Sequence, residues 1–401
     1  MDIVFLSLAQ VYGISGRGIY SDLMRMFRDQ GHQVFIVSPY ERRLGKNTSR
    51  EEKEGVTILH VRTFNIQKTN FIEKGIGTIL LKRQFKQAIK KYLKDVRFDL
   101  ILYATPPITF ANVIGYLKKK NPQAVSYLLL KDIFPQNAVD IGMFSVNSPF
   151  YWYFRKREKQ LYRNSDYIGC MSPANVAYVR KHNPYYPADH VEVAANSIEL
   201  GHTYNTEITE ISFREKYGLP KDIPIFIYGG NLGKPQGIDF LIQCLEANMN
   251  RTDCFFLIIG GGTEYRKLDR WYQQHIDKNV RVMQGLPKEE YEKLVHCSDV
   301  GMIFLDHRFT IPNYPSRLLS YLEFKKPVIC ATDRHTDIGK IAEENGYGYW
   351  CESLNPADFS ALIDKMLCSD RQMMGENGYQ FLQKNYLVGN TYQAIIRHCC
   401  H

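Results

Sequence analysis

The chain has 401 residues, of which 44% are hydrophobic and 23% are charged, a composition typical of globular proteins. This length exceeds what one hydrophobic core usually organises, so two domains are expected. The sequence has no run of about eighteen apolar residues and no signal peptide pattern at Met1, and its nine cysteines lack metal-site spacing, so we expect neither a membrane span nor export, but reduced thiols in a cytoplasm.

The positive charge is concentrated in the first half of the chain. The net charge is +9 overall, yet residues 1–200 carry +12 and the remainder carries −3. Much of the excess lies in two stretches, Lys74–Arg97 and Phe150–Arg163, where basic residues alternate with apolar or aromatic ones. Each stretch alone is compatible with a solvated basic face over a packed apolar face, whereas the two together favour docking on an anionic membrane surface or contact with a pyrophosphate. No nucleic-acid-binding motif accompanies the charge, so nucleic acid is not expected as a partner.

Strand and helix patterns alternate along the chain in two series. The first begins with a strand, a glycine loop and a helix, and its predicted elements are the strand Asp2–Leu8, the helix Tyr20–Arg28, and the strands Gln33–Ser38, Asp99–Tyr103, Ala124–Leu130 and Tyr167–Met171. After a break near residues 196–221 the alternation restarts, with a strand at Ile225 and further strands at Phe255–Ile259, Val280–Met283, Val300–Phe304 and Pro327–Cys330. Alternation of this kind predicts an α/β protein with parallel sheets covered by helices.

The two series predict two Rossmann-like domains that face each other across a cleft. We expect residues 1–200 to form the N-terminal domain, residues 201–380 the C-terminal domain, and residues 381–401 a helix that crosses back to the first domain. Ligands of such sheets bind at the carboxyl ends of the strands, so the active site is expected in the cleft.

A glycine loop, GISGRG, follows the first predicted strand. It lacks the G-x-G-x-x-G spacing of a dinucleotide-binding loop, and Ser38 and Pro39 close the second strand where an acidic residue would be required, so a nicotinamide or flavin enzyme is not expected. The N–H groups of the loop around Gly16, with the side chain of Arg17, suit a phosphate. A tight turn into the following helix is the alternative interpretation.

A second glycine loop lies in the segment Ile225–Phe240, IFIYGGNLGKPQGIDF. A buried-strand pattern ends in glycines that carry Asn231 and Lys234, and a helix pattern follows. Glycine amides close around an anion, the helix start adds a positive dipole end, and Lys234 adds a full charge. This segment therefore predicts a phosphate site in the second domain.

Eight segments in order resemble a known family, among them GISGRG, KDIFPQNAVDIG, YGGNLGKPQGIDFLI, LIIGGGTEYRKLDRW and PSRLLSYLEFKKPVIC. Together they are similar to bacterial glycosyltransferases of family 4, which have the GT-B fold, and the resemblance covers nearly the whole chain. Within that family the chain most resembles the N-acetyl-L-fucosamine transferases of O-antigen and capsule synthesis, in which a G-N-L-G-x-x-Q-G segment replaces the more usual phosphate-binding Arg and Lys.

The resemblance implies a UDP-linked sugar donor that is held by the second domain. It implies donor contacts from Gly230 and Asn231 at the diphosphate, stabilisation of the leaving group by Lys234, a second helix start at the phosphates formed by Ser316, Arg317, Leu318 and Leu319, and backbone contact with the uracil from Gln284, Gly285 and Leu286. Asp132, in KDIFPQ, matches an acidic residue that positions or deprotonates the acceptor hydroxyl, unless it is a structural cap next to Pro135.

The resemblance also implies retention of anomeric configuration without a metal or another cofactor, and the sequence offers no DxD pair to hold a metal. It departs from the family at the paired-glutamate motif, whose two positions are Pro312 and Ser320 here, and Lys325 replaces a loop glycine. The second glutamate usually binds the ribose hydroxyls. Glu323, one turn after Ser320 on the same helix face, is the expected substitute.

The function expected from the resemblance is transfer of a sugar, an N-acetylated amino or deoxyamino sugar, from a UDP-sugar to a lipid-linked saccharide during cell-surface polysaccharide synthesis. The enzyme would work in the cytoplasm, peripherally bound to the anionic inner face of the membrane. Two alternatives stay open: a GT-B enzyme of the UDP-sugar 2-epimerase type, and a non-catalytic subunit of a polysaccharide-synthesis complex, which the missing glutamates suggest.

Overall fold

The computed structural model describes residues 1–66, 71–201 and 210–399, and the chain divides into two compact units. The first unit comprises Met1–Glu199 with Leu387–His401, and the second comprises Leu200–Tyr386. None of the helices in the described ranges combines the length and apolarity that crossing a membrane requires.

The first unit is built on an eight-stranded sheet. Its strands are β1 (Asp2–Leu6), β2 (Gln33–Glu41), β3 (Ser49–Lys53), β4 (Val56–Thr63), β5 (Leu100–Ala104), β6 (Val125–Leu130), β7 (Tyr167–Cys170) and β8 (Val191–Val193). They lie in the order β3-β4-β2-β1-β5-β6-β7-β8, and all neighbours are parallel except the hairpin of β3 and β4. The strand order reverses between β1 and β5, which is where ligands of doubly wound sheets bind.

Within residues 1–66 and 71–201, six α-helices connect the strands of the first unit: α1 (Ile19–Asp29), α2 (Phe71–Tyr92), α3 (Ala111–Lys120), α4 (Gln136–Asp140), α5 (Pro149–Arg163) and α6 (Pro173–His182). Local sequence determines where several begin. α5 starts with Ser148 as N-cap, whose hydroxyl accepts the N–H of Phe150 at 3.2 Å, and Pro149 fills the first helical position. The same Ser-Pro pair starts α6 at Ser172.

The second unit is built on a six-stranded sheet in which every neighbour is parallel. Its strands are β9 (Ile225–Asn231), β10 (Phe255–Gly261), β11 (Val280–Gln284), β12 (Val300–Phe304), β13 (Val328–Thr332) and β14 (Gly348–Glu352), in the order β11-β10-β9-β12-β13-β14. The order reverses between β9 and β12. The carboxyl end of β9 is therefore the expected binding edge of this sheet.

The described part of the second unit has eight α-helices: α7 (Glu210–Lys216), α8 (Ile238–Asn248), α9 (Tyr265–Tyr272), α10 (Lys288–His296), α11 (Arg317–Glu323), α12 (Ile338–Glu344), α13 (Pro356–Leu367) and α14 (Arg371–Asn385). The central strands are short apolar runs, and Phe226, Phe256 and Ile329 are completely buried beneath the helices. Parallel sheets covered on both faces require such unbroken apolar strands.

A final helix, α15 (Val388–Ile396), belongs to the first unit rather than to the second. Its Val388, Tyr392 and Ile395 are buried in the same core cluster as Phe27 of α1. The chain enters this helix beside β8, because the N–H of Val388 donates to the carbonyl of Ile198 at 2.9 Å. The sequence on both sides of the second unit thus builds the first unit.

The predicted fold class is confirmed: both units are Rossmann-like α/β structures with parallel sheets. All strands predicted above are strands in the structure, with ends that differ by up to three residues; the largest difference is at β2, which continues past Ser38 to Glu41. The β3–β4 hairpin, β8 and β14 are additional strands that the sequence analysis did not identify.

Candidate functional site

The second unit carries two adjacent glycines, Gly229 and Gly230, in the last three residues of the strand β9, and we call this pair the glycine turn. Gly230 pairs in register with Gly260 of β10, which pairs in turn with Gln284 of β11. Gly230 has a φ of 123°, in the region that favours glycine, and a β-carbon on Gly229 would lie 2.1 Å from the ring of Tyr291. Glycine at both positions follows from backbone conformation and from close packing.

Arg317, the first residue of α11, extends its side chain under the glycine turn. Its Nη2 lies 3.4 Å from the place where a β-carbon on Gly230 would stand, and its Cζ lies 4.3 Å from the centre of the Tyr228 ring. The Nη1 atom is inaccessible to solvent and makes no hydrogen bond within the protein. A guanidinium nitrogen in this state lacks the acceptor that it would find in water, so an anion at the turn would satisfy it.

Tyrosine side chains surround the guanidinium and fix the neighbouring strands. The Tyr321 hydroxyl accepts the N–H of Gly229 at 3.3 Å and lies 3.2 Å and 3.3 Å from the carbonyl oxygens of Ile227 and Met302. β9 and β12 separate after two pairs of residues, and the ring of Tyr321 fills the gap beside Gly301. The rigid tyrosines hold the Arg317 side chain in place at the end of β9.

Asn231 and Lys234, both predicted at the diphosphate, lie directly after the glycine turn and are exposed. The Asn231 side chain is engaged, because its Nδ2 donates to Oε1 of Gln236 at 3.0 Å. The same Oε1 accepts the N–H of Gly233 at 3.2 Å. The neutral side-chain amides of Asn231 and Gln236 thus stabilise the loop through hydrogen bonds, and Lys234 provides the positive charge of the loop.

The predicted uracil segment lies at the end of β11. Gln284 is the last residue of the strand, and Gln284 and Gly285 are exposed while Leu286 is half-buried. The register places Gln284 on the same row as Gly230, two strands away, which corresponds to about 10 Å. The structure thus brings this segment to the same sheet edge as the glycine turn, and its contact with a base stays a prediction.

The predicted helix start at Ser316–Leu319 differs in detail from the expectation. Ser316 occupies the N-cap position but makes no capping hydrogen bond through its side chain. Leu318 and Leu319 are core residues whose N–H groups already donate to the carbonyls of Pro315 and Ser316. The two leucine amides are therefore not available to a phosphate. The helix α11 has only seven residues, and Arg317 contributes to the candidate site through its side chain.

The altered glutamate positions lie on the approach to α11 and on the helix itself. Pro312 is buried and Ser320 is half-buried, and Glu323 follows one turn later, also half-buried. Its role in binding ribose stays a prediction. In residues 1–66, 71–201 and 210–399 no three His, Cys, Asp or Glu side chains come together in a way that could hold a metal ion.

In the first unit, Asp132 follows β6 in a turn that Thr105 holds. The Thr105 hydroxyl oxygen accepts the N–H groups of Lys131 at 3.0 Å and of Asp132 at 3.3 Å. Burial raises the pKa of Asp132 to about 6, although Nδ2 of Asn137 donates to its carboxylate at 2.6 Å. Asp132 is therefore mostly ionised at pH 7 and able to accept a hydrogen bond from a hydroxyl group.

The Gly13–Gly18 loop, predicted to offer its N–H groups to a phosphate, already binds carboxylates of the chain itself. Glu54, at the tip of the β3–β4 hairpin, accepts the N–H groups of Ile14 and Ser15, the latter at 2.7 Å. The N–H of Gly18 donates to Asp22 at 3.0 Å. The expectation that the N–H groups of this loop are free to bind a phosphate is therefore wrong for Ile14, Ser15 and Gly18. Phosphate contacts of Gly16 and Arg17 stay a prediction.

Sequence reasoning did not identify Glu54 or the tyrosines around Arg317. The tyrosine Tyr321 meets Gly229 across 92 positions of the sequence, and Glu54 meets Ile14 across 40, so no local spacing signals either contact. A partial signal existed in Gly229, since a glycine inside a buried strand indicates close approach of another group.

Family models match both halves of the chain. A model described as Glycosyltransferase Family 4 matches residues 20–202, and a model described as Glycosyl transferases group 1 matches residues 209–381. The first match ends at residue 202, three residues after Glu199, where the N-terminal segment of the first compact unit ends. The candidate phosphate site lies within the second match.

Named proteins agree with these matches. The chain is 22% identical to the probable glycosyltransferase WbjE of Pseudomonas aeruginosa over 80% of this chain and 78% of that protein. It is 24% identical to the putative colanic acid biosynthesis glycosyl transferase WcaI of Escherichia coli over 33% and 32% of the two chains. Among solved structures, Anabaena HepE in complex with UDP is similar, with a TM-score of 0.69, 14% identity and 99% of both chains covered.

Proposed function

Because the chain belongs to the glycosyltransferases of the GT-B fold, its halves matching the family 4 and group 1 models, we propose that it transfers a sugar from a UDP-sugar to a lipid-linked saccharide. The donor sugar is an N-acetylated amino or deoxyamino sugar, and the reaction retains anomeric configuration without a metal. The product belongs to a cell-surface polysaccharide, in line with the relative WcaI, a putative glycosyl transferase of colanic acid biosynthesis.

The observation that carries this proposal is the buried, unpartnered Nη1 of Arg317 beside the glycine turn. A diphosphate placed at Gly230 would give this guanidinium the acceptor that it lacks. Asn231 and Gln236 are neutral, so Arg317 and Lys234 provide the positive charge at the turn. The relative HepE was solved with UDP, which supports a nucleotide diphosphate as the ligand of this fold.

In the proposed reaction the bond between the sugar and the β-phosphate breaks while the acceptor hydroxyl attacks the same carbon. Negative charge grows on the leaving phosphate oxygens, and preorganised cations such as Arg317 and Lys234 stabilise it more in the transition state than in the ground state. The leaving phosphate takes the proton of the acceptor hydroxyl. Asp132, ionised at pH 7, accepts a hydrogen bond from that hydroxyl and positions it.

The proposed membrane partner is supported by α5 rather than by α2. Phe150 and Trp152 of α5 are 67% and 62% exposed, and Met143, in the segment before it, is 58% exposed. Lys156 and Arg163 are exposed on the same helix. Exposed aromatic rings beside lysine and arginine match an anionic lipid surface, in which rings enter the headgroup layer and cations contact phosphates.

The basic helix α2 supports the simpler of its two interpretations. Its residues Leu81, Phe85 and Ile89 are buried in the first unit, and Lys90 lies over the ring of Tyr116 at 5.4 Å. The apolar face of the described part of α2 is thus used for packing, which leaves α5 as the surface for the membrane.

Donor binding is tested by titrating UDP into the protein and into Arg317→Met. Loss of one preorganised cation should weaken the binding free energy by about 2 to 4 kcal/mol, so the affinity for UDP should fall about 30-fold or more. Arg317→Lys should recover part of it, and Arg266→Met, at an exposed arginine of α9, should bind as the wild type does. Equal UDP affinity of Arg317→Met and wild type would remove Arg317 from the site.

Sugar release from UDP-N-acetylhexosamines, followed in the same variants and in Lys234→Ala, separates the alternative functions. Slow release that depends on Lys234 supports a transferase. Conversion to a C2 epimer would indicate the epimerase alternative. Complete failure of the wild-type chain to bind any UDP-sugar would favour the non-catalytic subunit.

Membrane docking is tested by sedimentation with vesicles that contain an anionic phospholipid. Phe150→Glu with Trp152→Glu should abolish co-sedimentation, since two charges replace inserted rings. Ile276→Glu changes an apolar residue of the second unit that is 58% exposed and serves as the matched control. Unchanged co-sedimentation of the α5 variant would contradict the proposed surface.

A further inference from the structure

The first unit carries a cluster of three phenylalanine rings that the proposed reaction does not use. Phe134 belongs to the turn after β6, Phe144 to the segment between α4 and α5, and Phe154 to α5 itself. The ring centres of Phe134 and Phe154 are 5.0 Å apart, and the ring of Phe144 lies 6.3 Å from the first and 6.4 Å from the second. We refer to these three rings as the phenylalanine cluster.

The phenylalanine cluster is not a closed part of the core. All three of its side chains are half-buried, whereas core rings such as Phe85 and Phe110 are completely buried. Large apolar side chains that contact one another and still reach solvent form a local apolar surface. Such a surface is unfavourable in water until another apolar group covers it.

One end of the cluster lies beside Asp132. Phe134 follows this residue by two positions, so their Cα atoms are at most about 7 Å apart. Both belong to a turn that Asn137 closes, since its Nδ2 donates to the Asp132 carboxylate at 2.6 Å and its N–H donates to the carbonyl of Ile133 at 3.0 Å. The cluster thus begins next to the carboxylate that positions the acceptor hydroxyl in the proposed reaction.

The other end of the cluster lies at the exposed start of α5. Phe150 precedes Phe154 by one helical turn, so the two side chains lie on the same face of the helix. Of the twelve large apolar side chains that are exposed in the described ranges, five lie between positions 143 and 153. An apolar path therefore runs from the surface proposed to meet the membrane, through the cluster, to the turn of Asp132.

Basic side chains accompany this path. The helix α5 contains five lysine and arginine residues and one acidic residue, Glu158, whose carboxylate is paired with Arg155. Lys156 and Arg163 of the same helix are exposed. The surface is therefore complementary to an amphiphile that combines a hydrocarbon tail with an anionic group, rather than to an uncharged apolar partner.

We propose that the phenylalanine cluster binds the hydrocarbon tail of the lipid-linked acceptor next to its polar end. The proposal rests on the transfer proposed above, which requires such an acceptor. The tail passes from the bilayer along Phe150 and Phe154 to Phe134, and the acceptor hydroxyl meets Asp132. The acceptor thus reaches the protein from the side of the membrane, and its tail contributes to recognition together with its sugar.

The proposal is tested with diphosphates that share one head group: inorganic pyrophosphate, geranyl diphosphate, and farnesyl diphosphate, which is one isoprene unit longer. They are titrated calorimetrically into the full chain without vesicles, below the concentrations at which they form micelles. Burial of one further isoprene unit should raise the affinity about tenfold or more. We call the affinity for farnesyl diphosphate divided by that for geranyl diphosphate the tail ratio.

Phe134→Ala should reduce the tail ratio to about threefold or less, because the ring that contacts the tail is removed. Phe144→Ser changes the same cluster from outside the Asp132 turn and should act in the same way. Phe134→Leu keeps an apolar side chain and should retain most of the ratio. Leu44→Ser, at an exposed apolar residue of the first unit away from α5, is the matched control and should behave as the wild type does. Thermal unfolding checks that each variant is folded.

A purely structural role of Phe134 would weaken the binding of all three diphosphates equally and leave the tail ratio unchanged, which would overturn the proposal. Co-sedimentation with anionic vesicles tests the bilayer as the occupant. Phe134→Ala should sediment as the wild type does, and loss of sedimentation with an unchanged tail ratio would assign the rings to the bilayer instead.

Failure of this proposal and failure of the proposed function give different results. A wild-type chain that binds UDP through Arg317 but has a tail ratio near one would overturn the tail site alone. A tail ratio that depends on Phe134, in a chain that binds no UDP-sugar, would overturn the proposed donor and leave the tail site in place.

Discussion

Charged side chains in this molecule are placed where their usual partners are absent, and this is most evident at Arg317 and Lys131. Arg317 lies among tyrosine rings with one nitrogen unpaired, and Lys131 lies at the end of a strand without a carboxylate. A protein of ordinary stability tolerates few such groups, because each buried charge without a partner lowers the free energy of unfolding by several kcal/mol. Nη1 of Arg317 is the unpaired nitrogen that the proposed diphosphate would satisfy.

Asp132→Asn should raise stability and reduce turnover. The folded-state pKa of about 6 lies above the ordinary value near 4, so the folded form loses stability as pH rises through this window and stays destabilised above it. The variant should therefore gain about 2 kcal/mol in free energy of unfolding at pH 7.5, and no gain should remain below pH 4. Urea unfolding at several pH values measures it.

The same variant should lose turnover about a hundredfold if Asp132 positions the acceptor hydroxyl. Donor affinity, measured with UDP, should stay unchanged, because the carboxylate contacts the acceptor in the proposed reaction. Full activity with the predicted gain in stability would assign Asp132 a structural role.

Glu54→Gln should loosen the Gly13–Gly18 loop. Burial acts to raise the pKa of Glu54, but the amides of Ile14 and Ser15 and the Ser15 hydroxyl outweigh it, so the pKa lies below its ordinary value. The carboxylate thus stabilises the fold above about pH 4 and loses this effect as pH falls through the lowered pKa. The free energy of unfolding of the variant, measured with urea, should be about 1 to 2 kcal/mol lower than that of the wild type at pH 7 and equal to it at pH 2.5. A pH-independent loss would contradict the ionic role.

At the scale of the elements, α11 organises the candidate donor site through its two ends. Arg317 begins the helix under the glycine turn, and one turn later Tyr321 inserts between β9 and β12. The separation of these strands is the point where the sheet order reverses. A short helix thus determines both the charge and the shape of the sheet edge.

Tyr321→Phe should destabilise the second unit by about 2 to 3 kcal/mol, because the buried N–H of Gly229 and two carbonyl groups lose their shared hydroxyl. Tyr347→Phe is a matched control: its hydroxyl is equally buried but makes no hydrogen bond to the backbone, so a smaller change is expected. Chemical unfolding compares the two. Equal effects would show that ring packing alone places Tyr321.

The elements that could be predicted are those whose burial produces a local pattern. β6 and β9 each contain an apolar run, Tyr127–Leu130 and Ile225–Tyr228, and the glycines that follow the second run indicate the end of the strand. β3 could not be predicted in this way, because all five of its residues are exposed and polar. The same limit applies to the site: Gly230 and Asn231 follow from a local motif, whereas the partners of Arg317 and the carboxylate in the Gly13–Gly18 loop come from distant segments.

At the scale of the whole molecule, two units of similar fold have separate cores. The first core includes α15, and the second consists of residues between Phe226 and Met374. Each core contains its own fully buried aliphatic residues, among them Ile395 and Ile363. The two units are therefore expected to respond separately to core mutations.

Ile395→Ala should lower the melting temperature of the first unit selectively. Truncating this fully buried isoleucine to alanine should lower the free energy of unfolding of the unit by about 2 to 5 kcal/mol. Ile363→Ala, in α13, should act in the same way on the second unit. Differential scanning calorimetry should resolve two transitions, each moved by one variant. A single transition moved equally by both would show that the chain unfolds as one cooperative body.

The position of α15 has a consequence for biosynthesis. The ribosome releases residues 1–199 first, but the core that they form lacks Tyr392 and Ile395 until nearly the whole chain has been made. The second unit, continuous in sequence, can complete its core while the first waits with part of its apolar surface uncovered. A nascent chain stalled before Val388 should therefore hold a protease-resistant second unit and a protease-sensitive first one, and the first unit should depend most on chaperones during translation.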